Sequence, residues 1–197
     1  MKTNLFYLDL ILLTGFGPYK GHFENLSSEI VRELSLGTQN IQIKKEILPV
    51  SWKRSIDLYL NLLVEANYKP DLVVLLGIHT SKKYALERFG WNFKIGEDIE
   101  GRFKIGLIKV CSRPLFKTII NLNEVYSAVK DISQLYISNF AGSYLCNYLY
   151  YWALFLSKRE YPVIFIHIPA DDNIIESIKI IENVIKVIIK IHLKENL

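Results

Sequence analysis

"DLVVLLGI", residues 71–78, is the stretch on which the fold turns. The run from Leu72 to Leu76 is wholly apolar and closes on Gly77, with no polar alternation along it. A short apolar run of this kind is what a central parallel strand shows, buried on both faces. On its N-terminal side, "WKRSIDLYLNLLVEANY" (52–68) is amphipathic and helical, and "IQIKKEILPV" (41–50) is a β-branched strand stopped by Pro49. Earlier still, "SSEIVRELSL" (27–36) spaces Ile30, Val31 and Leu34 as a helix does, with Ser27 or Ser28 as its cap. "LILLTGFG" (10–17) is another apolar run, ending in glycines. On the C-terminal side, Gly90, Gly96, Gly101, Gly106 and Pro114 break the pattern between 88 and 123, predicting hairpins or loops. "LYISN" (135–139) and "PVIFIHIP" (162–169) then flank an aromatic helix as two more strands. The tail, 171–197, is a long helix with Asp171 and Asp172 near its start and Lys190 and Lys194 near its end, as the helix dipole favours. Strand alternating with helix predicts α/β: one domain over 1–197, a three-layer α/β/α sandwich around a mostly parallel, twisted mixed sheet.

Composition narrows the function. Half of the 197 residues are hydrophobic, which excludes a disordered chain. The formal charge of +4 comes from 24 basic residues dispersed among 20 acidic ones, with Lys44-Lys45 and Lys82-Lys83 the longest basic runs. No concentrated basic patch marks a nucleic-acid partner. "LFYLDLILL" (5–13) carries Asp9, has no basic flank or small-residue cleavage site, and is too short to span a bilayer. It reads as a buried first strand, so no membrane association is expected. A cytoplasmic location is expected instead, with Cys111 and Cys146 both reduced.

In α/β sheets, ligands sit beyond the carboxyl ends of the strands. Four segments fall there: "TGFGPY" (14–19), "GIHTSKK" (77–83), "SNFAG" (138–142) and "HIP" (167–169). The small residues before Cys146 would admit backbone N–H groups close to an oxyanion, and a helix N-terminus or an imidazole would activate the thiol. Free cysteines also pack well, and Cys146 alone leaves both readings open. His167 ends "VIFIH" where the chain leaves the sheet, and is the strongest histidine. His192 belongs to the polar end of the last helix, while His22 and His79 lie in loops without an evident partner. Glu87, between Leu86 and Phe89, can accept from the second ring nitrogen of a catalytic histidine, or form a surface salt bridge. No His, Cys or carboxylate pair has metal-ligand spacing, so no metal or cofactor is expected.

In this order, "TGFGPYKGHFENLS" (14–27), "LPVSW" (48–52), "PDLVVLLG" (70–77), "ERFGWN" (87–92), "SNFAGSYLCNYLYY" (138–151) and "FIHIP" (165–169) resemble the motifs of the pyroglutamyl peptidase I family. These pyrrolidone-carboxylate peptidases are cysteine peptidases with a Glu-Cys-His triad. The resemblance implies Cys146 as nucleophile, His167 as general base and Glu87 as the orienting carboxylate. It implies that Phe16 and Tyr19, the latter where a Phe is usual, hold the pyroglutamyl ring, and that Asn25 shapes the substrate side of that loop. Arg88 would support the oxyanion or make a structural ion pair. Substrates would be peptides with an N-terminal pyroglutamate, and the assembly a homotetramer. "GIHTSKK" stands in place of the family's G-Q-A-G-G-R, and "KIGEDIEG" (94–101) in place of I-P-D-N-x-G. Lys20 replaces the glycine before Gly21, and Leu26 the proline of N-P-S. These departures bear on specificity. They leave two alternatives: a non-catalytic binder of peptides or lactams, or an amidohydrolase for another small acyl group. Cys111 has no counterpart and reads as structural.

Overall fold

β3 (Leu72–His79) runs through the middle of a six-stranded sheet. It is flanked in parallel by β1 (Asp9–Phe16) and β10 (Val163–Pro169). The computed structural model describes residues 9–19, 24–37, 40–65, 69–129 and 134–192. Lys20, Gly21, His22, Lys194 and the first residues of the 5–13 run lie outside that set. β2 (Ile41–Leu48) lies outside β1; beyond β10 come β4 (Tyr84–Glu87) and β9 (Leu135–Ser138), giving the order β2-β1-β3-β10-β4-β9. Every contact in this sheet is parallel except β4 with β10, so the sheet is mixed through one short strand. Leu72 to Leu76 are buried, as an unalternated apolar run between two helical layers must be.

The two faces are covered by different chemistries. α1 (Leu26–Glu33), α3 (Leu122–Ala128) and α5 (Ile174–His192) pack on one face through aliphatic side chains. On α5, Ile181, Val184, Ile185 and Ile188 repeat at helical spacing and all are buried. Truncating one of them to Ala would cost about 2–5 kcal/mol. α2 (Arg54–Glu65) and α4 (Leu145–Ser157) cover the other face with aromatic residues, among them Trp52, Tyr59, Tyr150 and Tyr151. Among the described residues no helix is long and apolar enough to cross a membrane.

One local expectation needs correcting, and one strand went unread. Asn25, not Ser27 or Ser28, caps α1: its backbone is extended, and its Oδ1 accepts from Ser27 N at 3.1 Å and from Ser27 Oγ at 2.8 Å. Residues 84–87 form a strand that no alternation in "YALE" announces, because all of its residues are buried. Between 88 and 123, where hairpins or loops were expected, one hairpin forms inside a second antiparallel pair. β5 (Phe89–Trp91) pairs with β8 (Leu115–Lys117), and β6 (Lys94–Glu97) with β7 (Phe103–Gly106), each antiparallel.

Candidate active site

Cys146 is the second residue of α4. The turn before it is pinned from three sides. Ser138 Oγ accepts from Phe140 N, Trp91 Nε1 donates to Asn139 O at 2.9 Å, and Ile95 N donates to Ser143 O at 2.7 Å. Gly142 sits at φ 81°, a conformation that favours glycine. Tyr144, at the N-cap, makes no side-chain cap bond, so the first-turn N–H groups of α4 have no competing side chain there. The thiol therefore stands at a helix end whose dipole and N–H groups favour an anion.

His167 leaves β10 on the same face and is buried, and its Nδ1 lies 2.8 Å from Glu87 Oε1. A carboxylate accepts, so Nδ1 carries the proton and Nε2 is left for the thiol. The Glu87 carboxylate reaches His167 diagonally: in the β4–β10 ladder, Phe165 is level with Glu87 and His167 with Ala85. Burial alone would lower the affinity of His167 for protons. Hydrogen bonding to Cys146 and to Glu87, with the charge of each, outweighs it and raises the pKa to about 9. Gly77 is level with His167 on β3, and a Cβ there would lie 2.9 Å from Cys146 Sγ. Only the bare backbone leaves space for the thiol.

The other expected site residues separate into two groups. Phe16 and Tyr19 belong to the same hydrophobic cluster as Cys146, and the ring of Tyr19 lies 5.5 Å from that of Tyr144, which had no expected role. Tyr144 also donates its hydroxyl to Glu97 O at 2.6 Å, tying β6 to the start of α4. Asn25 is buried and committed to its loop, its amide donating to Gly17 O at 3.1 Å. Arg88 turns toward α3, on the face opposite α4, with its guanidinium 3.4 Å from Asn123 Oδ1. Cys111, read as structural, is an exposed free thiol. Among the described residues no group of three or more His, Cys, Asp or Glu is placed to hold a metal ion.

Three residues with no assigned role prove to belong to the architecture of the site. Asn147, fully buried, accepts from Trp91 N and donates to Trp91 O and Phe93 O, fastening the β5–β6 connection to α4. Tyr150 donates to Glu87 O. His79, expected in a loop without a partner, is the last residue of β3 and stacks on His167. Helical spacing from Cys146 could have flagged Tyr150, one turn further on. The place of His79 depends on strand register and had no signal.

A mixed α/β sandwich that brings a His and a Glu from its strands to a Cys at the start of a helix carries the side chains of a cysteine-type hydrolase. A family model described as pyroglutamyl peptidase matches residues 9–187. The pyrrolidone-carboxylate peptidase of Thermosipho africanus is 30% identical over 167 residues, covering 81% of this chain and 80% of that protein. The protein of the same name from Lactobacillus acidophilus is 31% identical over 168 residues, with 81% and 82% covered. The solved pyrrolidone carboxyl peptidase of Thermococcus litoralis superposes with a TM-score of 0.87 at 25% identity, covering 96% of each chain. The chain belongs to the pyroglutamyl peptidase family.

Proposed function

We propose that the protein hydrolyses the amide bond after an N-terminal pyroglutamyl residue through a thioester formed on Cys146. The observation that carries this is the 2.8 Å bond between Glu87 Oε1 and His167 Nδ1, on an imidazole whose proton affinity Cys146 and Glu87 together raise. The thiol proton passes to His167 Nε2, and Sγ bonds to the carbonyl carbon. The oxyanion is held by first-turn N–H groups of α4. His167 then protonates the leaving amine as the C–N bond breaks. Water, deprotonated by His167, cleaves the thioester, releasing pyroglutamate and restoring the thiol. Glu87 keeps the imidazole in one tautomer and balances its charge. The lactam carries no charge and calls for apolar walls, which Phe16 and Tyr19 supply, with Asn25 holding their loop. Arg88 is better read as an anchor to α3 than as an oxyanion donor.

Two further assignments follow. Phe103, Ile105 and Leu107 form an exposed apolar stripe on and just after β7, which supports a homo-oligomer. Both described cysteines are free, which suits a reducing compartment such as the cytoplasm. The test is turnover of a fluorogenic pyroglutamyl arylamide, with other acyl groups on the same leaving group as comparison. Cys146→Ala and His167→Ala should each abolish turnover in variants whose circular dichroism stays native. An intact protein that cleaves none of the pyroglutamyl substrate would end the proposal; preference for another acyl group would redirect it.

A further inference from the structure

His79 lies two positions beyond Gly77 on the same face of β3. Its ring is stacked on that of His167, with centroids 5.1 Å apart and planes 10° from parallel. Gly77, level with His167, has no side chain to come between them. His79 is held in this pose by its own contacts. Its Nε2 is 2.7 Å from Lys83 O, and a carbonyl only accepts, so the neutral ring carries its proton on Nε2. Its backbone carbonyl accepts from Ala170 N at 3.1 Å. The turn at 80–83 thus keeps one imidazole flat against another.

We propose that His79 is a positioning residue: a neutral imidazole face that fixes the plane of His167 and stabilises that ring when it is protonated. This rests on the acid–base role given to His167 above. A cation lying over a neutral aromatic face is attracted to it. Two imidazolium rings in the same stack repel one another. A neutral His79 therefore supports the Cys146 thiolate–His167 imidazolium pair, and a charged His79 discharges it. The titratable groups around His79 are His167 on β10 and Glu87 on β4. α4 brings Cys146, which bonds the same His167 ring, while the 80–83 turn offers the carbonyl of Lys83. Burial, then the charge of His167, lowers the affinity of His79 for protons; Lys83 O and Glu87 oppose this without reversing it. The ring is neutral where the reaction runs.

His79→Ala and His79→Phe in the full chain test the inference with two readouts across pH. One is kcat and KM on the pyroglutamyl arylamide. The other is alkylation of Cys146 by iodoacetamide, followed by peptide mass spectrometry, which needs no turnover. The Ala variant should lose about tenfold in kcat. Its KM should stay within about twofold, and the alkaline limb of both profiles should move to lower pH. The Phe variant keeps a ring without a titrating proton. It should recover most of the lost kcat, and its acid limb should move to lower pH. An Ala variant with wild-type kcat and both profiles unmoved overturns the proposal. So does a folded Phe variant with the acid limb unmoved, which decides the matter if Ala fails to fold. Alkylation profiles that shift in an enzyme without turnover would sink the peptidase reading and keep His79 in its role.

Discussion

The hydroxyl of Tyr150 donates to the main-chain carbonyl of Glu87 at 2.8 Å, deep in the aromatic layer. Tyr150 stands one turn after Cys146, so one face of α4 carries the thiol to His167 and grips the strand that supplies the carboxylate. β4 has only four residues: this bond ties it to α4, and on the other face of the sheet the Tyr84 hydroxyl bonds Ser177 of α5.

Tyr150→Phe should therefore act on both stability and turnover. Losing one buried hydrogen bond costs about 1 kcal/mol, to be read from urea unfolding. A drop in kcat of about threefold or more, with KM unchanged, should accompany it if the bond positions Glu87. Wild-type kcat in this variant would mean the bond serves stability alone.

The pH profile should carry an alkaline limb near 9, where His167 loses the proton it donates to the leaving amine. Because the folded pKa lies above the ordinary 6.5, the same linkage stabilises the fold fully below that value and is lost as pH rises through about 9. Glu87→Gln removes one cause of the elevation and should move the limb of kcat/KM to lower pH. A profile flat to pH values well above the limb would contradict the assignment.

Gly77→Ala should cost activity out of proportion to folding. Its Cβ would fall 2.9 Å from Cys146 Sγ and 2.8 Å from Phe165 Cζ, closer than unstrained contacts allow. Displacing the nucleophile by a fraction of an ångström should lower kcat by about 10²-fold. The check is kcat and the rate of Cys146 alkylation in a variant whose circular dichroism is native.

Asn147→Ala removes three half-buried hydrogen bonds to Trp91 and Phe93 at once. At about 1 kcal/mol each, the loss should approach 3 kcal/mol in denaturant unfolding. Asn147→Asp keeps an acceptor for Trp91 N but brings a carboxylate against two carbonyls, and should be no better. A loss under about 0.5 kcal/mol would show that the β5–β6 connection is held by other contacts.

The elements legible in the chain were those with a pattern of their own. Leu72 to Leu76 and Val163 to Ile166 are unbroken apolar runs, and α5 repeats its isoleucines at helical spacing. β4 was not legible, because "YALE" is too short to show a period and its partners, β10 and β9, lie far along the chain. At the start of α1, Asn25, Ser27 and Ser28 are all able caps, and only the backbone angles of Asn25 choose among them.

The sequence by itself determined the α/β alternation, the family and the three side chains on which the proposed chemistry rests, because local patterns and ordered motifs are written along the chain. Tertiary structure alone decided what surrounds them. Strand register lays His79 on His167 and sets the bare Gly77 beside the thiol, and the packing of α4 on β4 bonds Tyr150 to Glu87. Those contacts join residues distant in the chain, and they exist only once the strands have found their neighbours.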